Sequence, residues 1–360
     1  TAHHHPRRTH SLMWLPHATL QWCTCELCRN FFANVQLQME NAPRPLPRPV
    51  PQLSGTHASR RVMMLRTHPE LRDLEGVDPR TKWIALGLVA AQLATALVAP
   101  SLPAWAYLFA AYVVGATIAQ ALFLAVHELT HDLAFTTPLH NRLFALVVNA
   151  PLVFPFASEF RAHHLAHHSH LGVQGLDTDL PSALECRWAR GPALKTVWCA
   201  CQILAYALRP VFERGALAPL RTQLAAGILQ VSVDVALVQA HGSAAPLRFL
   251  MLSIFLAGGL HPCAGHFLSE HYALDSAQSV QETFSYYGPL NQLTFNCGYH
   301  QEHHDLPRVP WSRLPCVREA APEFYEGLAT CTSWSRAMWV YVTDARVGPW
   351  SRVVRAKKAA

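Results

Sequence analysis

The run Gly298-Tyr299-His300-Gln301-Glu302-His303-His304-Asp305 carries three histidines at offsets 0, +3 and +4. On a helix those offsets bring three imidazoles to one face. His164-Leu165-Ala166-His167-His168 repeats the spacing, and His127-Glu128-Leu129-Thr130-His131 holds a pair at i, i+4. Imidazole is a ligand for iron, copper, nickel and zinc. One such cluster is ordinarily solvated or capping; three in one chain point to a metal site. Eight imidazoles exceed the four ligands that one zinc takes. They suit two five- or six-coordinate ions with positions left open. Two redox metals of that kind can split dioxygen and remove hydrogen from an unactivated C–H bond. Iron is favoured, because imidazole suits it and it handles oxygen.

A ninth ligand is expected from the run that holds His261, His266, Glu270, His271 and Tyr272. His271 lies just past an apolar stretch, where the other clusters also emerge. His266 lies deeper and is the additional candidate; His261 reads as a buried, hydrogen-bonded histidine. The candidate ligands are thus His127, His131, His164, His167, His168, His271, His300, His303 and His304. His163 and His170 read as spectators. Carboxylates near the clusters could orient the rings: Glu128, Asp132, Asp177, Asp179, Glu302 and Asp305.

Two other chemistries compete. His127–His131 is also H-E-x-x-H, the zinc protease pattern with its glutamate as general base. That enzyme needs one further ligand and a water, and has no use for two H-x-x-H-H clusters. A metal transporter would expect polar residues inside its spans, which here are nearly free of them.

The elements that must position these side chains are membrane helices. Of 360 residues, 51% are hydrophobic and 14% charged, too apolar for an ordinary soluble enzyme. The net charge is +6, but the arginines and lysines flank apolar runs instead of forming a stripe interleaved with aromatics. That favours lipid headgroups over nucleic acid, which is not expected as a partner. Between Trp83 and Val126 there is no Asp, Glu, Lys or Arg, and Pro100-Ser101-Leu102-Pro103 divides the run in two. Arg221 to Arg248 holds one charge, Asp234, and Arg248 to Glu270 none between its ends. Spans are expected at about 84–101, 104–126, 222–241 and 248–268. Asp234 is expected to bond a neighbouring helix. Residues 139–157 read as interfacial or re-entrant, and 193–214 as an amphipathic helix along the membrane surface. The basic segment His57–Lys82 belongs in the cytoplasm by the positive-inside rule. Even numbers of crossings then separate the clusters, so all three meet on that side. The fold expected is all-α: four transmembrane helices under a cytosolic helical cap, 127–220 and 269–360, within a domain of residues 56–360. Residues 1–55 read as a disordered extension outside that domain, with a Pro-rich linker over Pro43–Pro51 and no clear secretory signal. Cys23, Cys25 and Cys28 lack a second pair at zinc-finger spacing, and buried cysteines elsewhere read as small hydrophobes.

The three boxes on this scaffold resemble the membrane fatty acid desaturase and hydroxylase superfamily, and within it the sphingolipid delta-4 desaturases. The resemblance is carried by His57-Ala58-Ser59-Arg60-Arg61, His68-Pro69-Glu70, the boxes themselves, His167–Gly172, and Gly175-Leu176-Asp177-Thr178-Asp179-Leu180-Pro181. It continues through Gly259-Leu260-His261-Pro262, Gly265-His266-Phe267 and Glu270-His271-Tyr272. Ser285-Tyr286-Tyr287-Gly288-Pro289-Leu290-Asn291, running on to Pro307, is its most specific part. The likeness covers about residue 56 to the end. It implies an oxidoreductase that puts a trans double bond between carbons 4 and 5 of dihydroceramide, using dioxygen and electrons from NAD(P)H through a reductase and cytochrome b5. It also implies the endoplasmic reticulum membrane, with the boxes facing the cytosol. Some members hydroxylate carbon 4, and the boxes do not separate the two outcomes. His163 and His170 stand where relatives usually carry aromatic residues, and the glycine suited to myristoylation that opens family members is not seen. Motif proximity makes Asp177 and Asp179 candidates for the polar head of the substrate.

Overall fold

The computed structural model describes residues 56–212, 217–275 and 281–355. The expected extension 1–55, with its cysteine run and Pro-rich stretch, lies outside the described residues. Helices dominate: α1 His57–Thr67, α2 Arg80–Val98, α3 Ala104–Thr130, α4 Pro138–Asn149, α5 Ala157–His170, α6 Ala183–Trp188 and α7 Gly191–Phe212. They continue with α8 Leu220–His241, α9 Ala245–Ala257, α10 His266–Ser269, α11 His300–Asp305, α12 Leu314–Ala320 and α13 Trp334–Thr343. The all-α expectation needs one amendment. Ser285–Tyr286 (β1) and Thr330–Cys331 (β2) form a short parallel pair. It brings the segment before α11 against the one before α13.

The charge-free run forms two long helices because nothing in it competes with backbone pairing, and the prolines separate them. Pro100 ends α2 in a 3-10 turn, and Pro103 stands just before α3, where its missing N–H costs nothing. α3 is the central element: 56% of its most apolar window is buried, against 11% for α8. Leu122, Leu124, Ala125, Val126 and Leu129 fill the core as α3 runs down to the first His pair. A π-turn at Ala110–Gly115 lets α3 approach α9 closely, where a Cβ on Gly115 would sit 2.2 Å from Ser253 Oγ.

Arg80–Ser101, Ala104–Thr130 and Leu220–His241 are long and apolar enough to cross a membrane. The expected fourth span is broken instead: Ala245–Ala257 and Pro262–Ser269 meet at 41°. Gly258 and Gly259 lie at the break, pressed on Ile203 and on the Ala200 carbonyl with no room for a Cβ, and Pro262 starts the second piece. Pro138–Leu152 and Ala157–His170 form a sharper pair, bent by 116°. The described residues therefore offer three to five crossings by length and composition.

Two local expectations are corrected. α7 is amphipathic, but its charges face inward. Lys195 donates from Nζ to the Tyr341, Asp344 and Val347 carbonyls, ending α13, and Arg209 pairs with Glu185 at 2.6 Å. Leu194, Val197, Leu204 and Leu208 stand outward, each about half exposed. Inward charge holds because every donor finds an acceptor there. Replacing Arg209 with methionine strands the Glu185 carboxylate, at a cost of about 3–5 kcal/mol. The melting temperature of the detergent-solubilised protein should fall; an unchanged value would contradict the inward pairing. Asp234 does not reach another helix directly. Its carboxylate accepts from Gln230 one turn earlier, and it is Gln230 that bridges to Asn149 and Ala150.

Candidate metal centre

Three helices and one turn converge below α3. His127 and His131 end α3, His164, His167 and His168 lie on α5, and His300, His303 and His304 on α11. His271 follows the short α10. Offsets of 3 and 4 aim each set inward, and every ring of α11 is buried.

The imidazoles fall into two adjoining groups. His127, His131, His164, His168 and His303 offer nitrogens that all lie within 4.8 Å of one another, as do His167, His271 and His304. His300 joins the second group, its Nε2 facing His271 Nε2 at 2.9 Å. His168 and His304 stack at 4.1 Å between ring centroids, so the groups share a wall.

The nitrogens are spaced as ligands of one ion would be. His131 and His164 face each other at 2.9 Å, His164 and His168 at 3.0 Å, His168 and His303 at 3.1 Å, each through Nε2. Metal–imidazole bonds of about 2.1 Å meeting at right angles put neighbouring nitrogens roughly 3 Å apart. In the second group His167 Nε2 and His304 Nε2 are buried with no hydrogen-bond partner. An unpaired buried nitrogen is costly unless something binds it. The donor set thus fits two imidazole-ligated ions.

Electrostatics agree. Burial, then mutual repulsion of positive rings, pushes His131, His303 and His304 well below the ordinary imidazole value. His271 falls too, through burial and then Arg352, and His300 drops to about 3, chiefly by burial. A depressed pKa means a neutral ring with a free lone pair at neutral pH. His167 is the exception: burial lowers its pKa, but Asp177 and Asp179 outweigh burial and raise it. Uptake of Fe(II) by the first group of metal-stripped protein should therefore be nearly flat between roughly pH 6.5 and 8, while uptake by the second weakens toward the acid end. Loss of first-group uptake centred near 6.5, where free imidazole titrates, would contradict this.

Carboxylates hold the outer nitrogens of some rings. Asp177 accepts from His167 Nδ1 at 2.9 Å. It also accepts from the Gly172 and Asp179 amides, with Arg352 3.9 Å away. Burial opposes ionisation of Asp177, but His167 and Arg352 outweigh it and hold its pKa below the usual carboxylate value. Glu128 accepts from the Trp311 amide and stands 3.8 Å from His127 Nδ1. Glu270, one of the residues flanking His271, stands 3.6 Å from His300 Nδ1. Glu270 also accepts from His266 Nδ1 at 2.9 Å, and His266 Nε2 accepts from the Gln120 amide. His266 therefore groups with Glu270 and Cys297, apart from the nine imidazoles.

Other expected orienting carboxylates lie elsewhere. Glu302 accepts from Ser285 Oγ and Tyr287 OH, and Asp305 from Arg60 and His57. The reason is helical geometry: residues two and five past His300 point away from the face of residues 300, 303 and 304. They brace α11 from behind. Asp132 pairs with Arg161, which also caps the carbonyls ending α3. His163 lies 3.7 Å from Glu159, and His170 bonds the Ala166 carbonyl. His261 accepts from the Cys263 amide and meets Thr117.

Sequence reasoning passed over Arg352, Gln120 and Cys297, and named Glu270 without giving it a role. Glu270 had a signal, standing four residues after His266 and next to His271. Arg352 had none, because 175 positions separate it from Asp177.

A cavity of about 50 Å³ opens on these groups. Phe123, Phe160, Tyr206, Phe267 and Phe295 make its apolar wall, and His127, His164, His167, His271, Asp179 and Glu270 its polar one.

Comparison with known proteins places this arrangement. The fatty acid desaturase family model matches residues 103–335, and the sphingolipid Delta4-desaturase (DES) model matches 54–80. A sphingolipid delta(4)-desaturase of Schizosaccharomyces pombe is 44% identical, over 84% of this chain and 86% of its own. One from Candida albicans is 42% identical over 84% and 86%. A sphingolipid delta(4)-desaturase/C4-monooxygenase of Bos taurus is 41% identical over 84% and 93%. With both family models and relatives of this similarity along most of its length, the chain belongs to the fatty acid desaturase family, among its sphingolipid delta(4)-desaturases.

Proposed function

We propose that this protein desaturates dihydroceramide between carbons 4 and 5, with one iron held by His127, His131, His164, His168 and His303 and a second by His167, His271, His300 and His304. The observation that carries the reading is the meeting of nine imidazoles in two groups that share a wall. When bound, the iron pair supplies dioxygen activation and the oxidising power to remove hydrogen from an unactivated C–H bond. Dihydroceramide, dioxygen, two electrons and two protons then give ceramide and two waters. The electrons come from NAD(P)H through a reductase and cytochrome b5.

The chain's own residues do the positioning. Asp177 holds the His167 Nδ1–H, so its Nε2 lone pair points into the site. The Glu282 carbonyl does the same for His271, and Glu270, whose carboxylate accepts from His266, faces the His300 ring at 3.6 Å. The five cavity aromatics pack round the reacting carbons and exclude water.

In the membrane, α2, α3, α8 and the α9–α10 pair form four crossings, and the bent α4–α5 pair re-enters. Two crossings then precede the first box and two separate the second from the third. The boxes lie on the cytosolic face of the endoplasmic reticulum, beside Arg60, Arg61, Arg66 and Arg72. The outward leucines of α7 lie in hydrocarbon. Residues 56–360 form the catalytic domain and 1–55 an extension to it.

The test is expression in a desaturase-null cell followed by mass spectrometry of ceramides. A loss of two hydrogens is the expected result. A gain of one oxygen would assign the chain to carbon-4 hydroxylation instead. No change in either would overturn the proposal.

A further inference from the structure

Asp177 and Asp179 lie two residues apart beside the same imidazole, yet the structure treats them differently. Asp177 is 3% exposed and fully engaged, with His167, two backbone amides and Arg352 around its carboxylate. Its side chain has no freedom left for substrate.

Asp179 is held by its backbone instead. Its amide donates to Asp177 Oδ1 at 3.0 Å. Its carbonyl accepts from two buried guanidinium groups, Arg209 at 3.1 Å and Arg352 at 3.0 Å. Arg209 is itself fixed by Glu185, and the Arg352 guanidinium lies over the Tyr272 ring and 3.9 Å from Asp177, with its backbone bridged to Tyr272. Two arginines from distant parts of the chain thus meet on one peptide. Among the described residues the carboxylate that this anchoring presents makes no side-chain hydrogen bond; its ion-pair contact is His167 Nδ1 at 3.5 Å, a nitrogen already committed to Asp177 at 2.9 Å, with His163 also within electrostatic reach. The side chain is 23% exposed and lines the cavity, one imidazole width behind the second group. Tyr206 and Phe267 form the adjoining wall.

A rigid backbone that presents a carboxylate to a cavity with an aromatic wall is arranged to accept hydrogen bonds from a guest. We propose that Asp179 accepts the hydrogen bond of the hydroxyl on the carbon next to the oxidised pair, and so sets which carbons meet the metal centre. The inference rests on the desaturase reading above and assigns a specificity residue within that site. The chemistry suits: in the dihydroceramide backbone carbon 3 carries a hydroxyl directly beside carbon 4. An acceptor gripping it fixes the register of the chain, whereas the aromatic wall alone would let the chain slide. Hydrogen bonds of this kind discriminate by about 10–100-fold, because loss of the guest hydroxyl leaves the acceptor without its partner.

The test compares kcat/KM for dihydroceramide and for its 3-deoxy analogue in the full-length membrane enzyme, wild type, Asp179→Asn and Asp179→Ala. The wild type should prefer the hydroxylated substrate by about 10–100-fold. In both variants the ratio should fall toward one, with iron content unchanged and with product bonds appearing at more than one position. A ratio that survives in the variants overturns the inference. So does an equal loss on both substrates together with loss of iron, which would make Asp179 a support for His167. A 1-deoxy analogue controls for the other hydroxyl; if only its discrimination disappears, the assignment is also wrong. A wild type that desaturates neither substrate defeats the desaturase reading itself, and that result is distinguishable from the others.

Discussion

Replacing His303 with alanine abolishes desaturation and removes iron from the first group, while the protein still inserts into membranes. His303 stands at the middle of that group. Its Nε2 is 3.1 Å from His168, and its ring centroid is 4.5 Å from that of His127 and 4.6 Å from that of His131. Alanine leaves His168 without its facing nitrogen and removes one of the five nitrogen donors of that group. Insertion survives because α11 lies outside the long apolar helices. The measurements are ceramide turnover, iron per chain, and membrane fractionation. His170→Ala is the control, since His170 is exposed and its ring bonds the Ala166 carbonyl of its own helix. Full activity in His303→Ala would remove the third box from the site.

Asp177→Asn carries the second large effect. The carboxylate fixes the tautomer of His167, and Arg352 stands beside both. An amide keeps the shape but drops the charge, so His167 becomes a poorer ligand and the buried guanidinium loses its counter-charge. Outer partners of this kind are worth roughly 10–100-fold in metal affinity or activity. Iron titration should show one ion weakened by that factor and the other retained. Equal weakening of both, or of neither, would contradict the division into two groups. Acid should mimic the substitution. The Asp177 carboxyl is depressed in the folded protein, so its stabilisation is present above the ordinary carboxylate range and disappears as pH falls through the folded value.

Much of this is legible in the amino-acid sequence. The absence of charge between Trp83 and Val126 announces α2 and α3, and the proline pair marks their boundary. The offsets within each box put the imidazoles on common helix faces, and the structure brings those faces together. Periodicity could also have excluded Glu302 and Asp305 from the rings, since they fall on the opposite face of α11. The α9–α10 break was less visible, because hydropathy averages over Gly258 and Gly259 and reports only an apolar run. α7 misled for a different reason: its charged residues suggested a wet face, whereas Lys195 and Arg209 are buried on partners supplied by α13 and α6. Arg352 was invisible, because nothing local ties the end of the chain to Asp177, 175 positions earlier. Asp177 and Asp179 look alike in sequence; only the long-range arginines separate a ring-holding acid from one that faces the cavity.

The central claim is that nine imidazoles hold a pair of iron ions. The most direct test is elemental analysis of the purified, active protein, with Mössbauer spectroscopy of iron-57-loaded samples. The account expects two irons per chain in nitrogen-rich, non-haem sites, with stoichiometric loss in His303→Ala. A single zinc per chain, or full activity in protein free of iron, would contradict it.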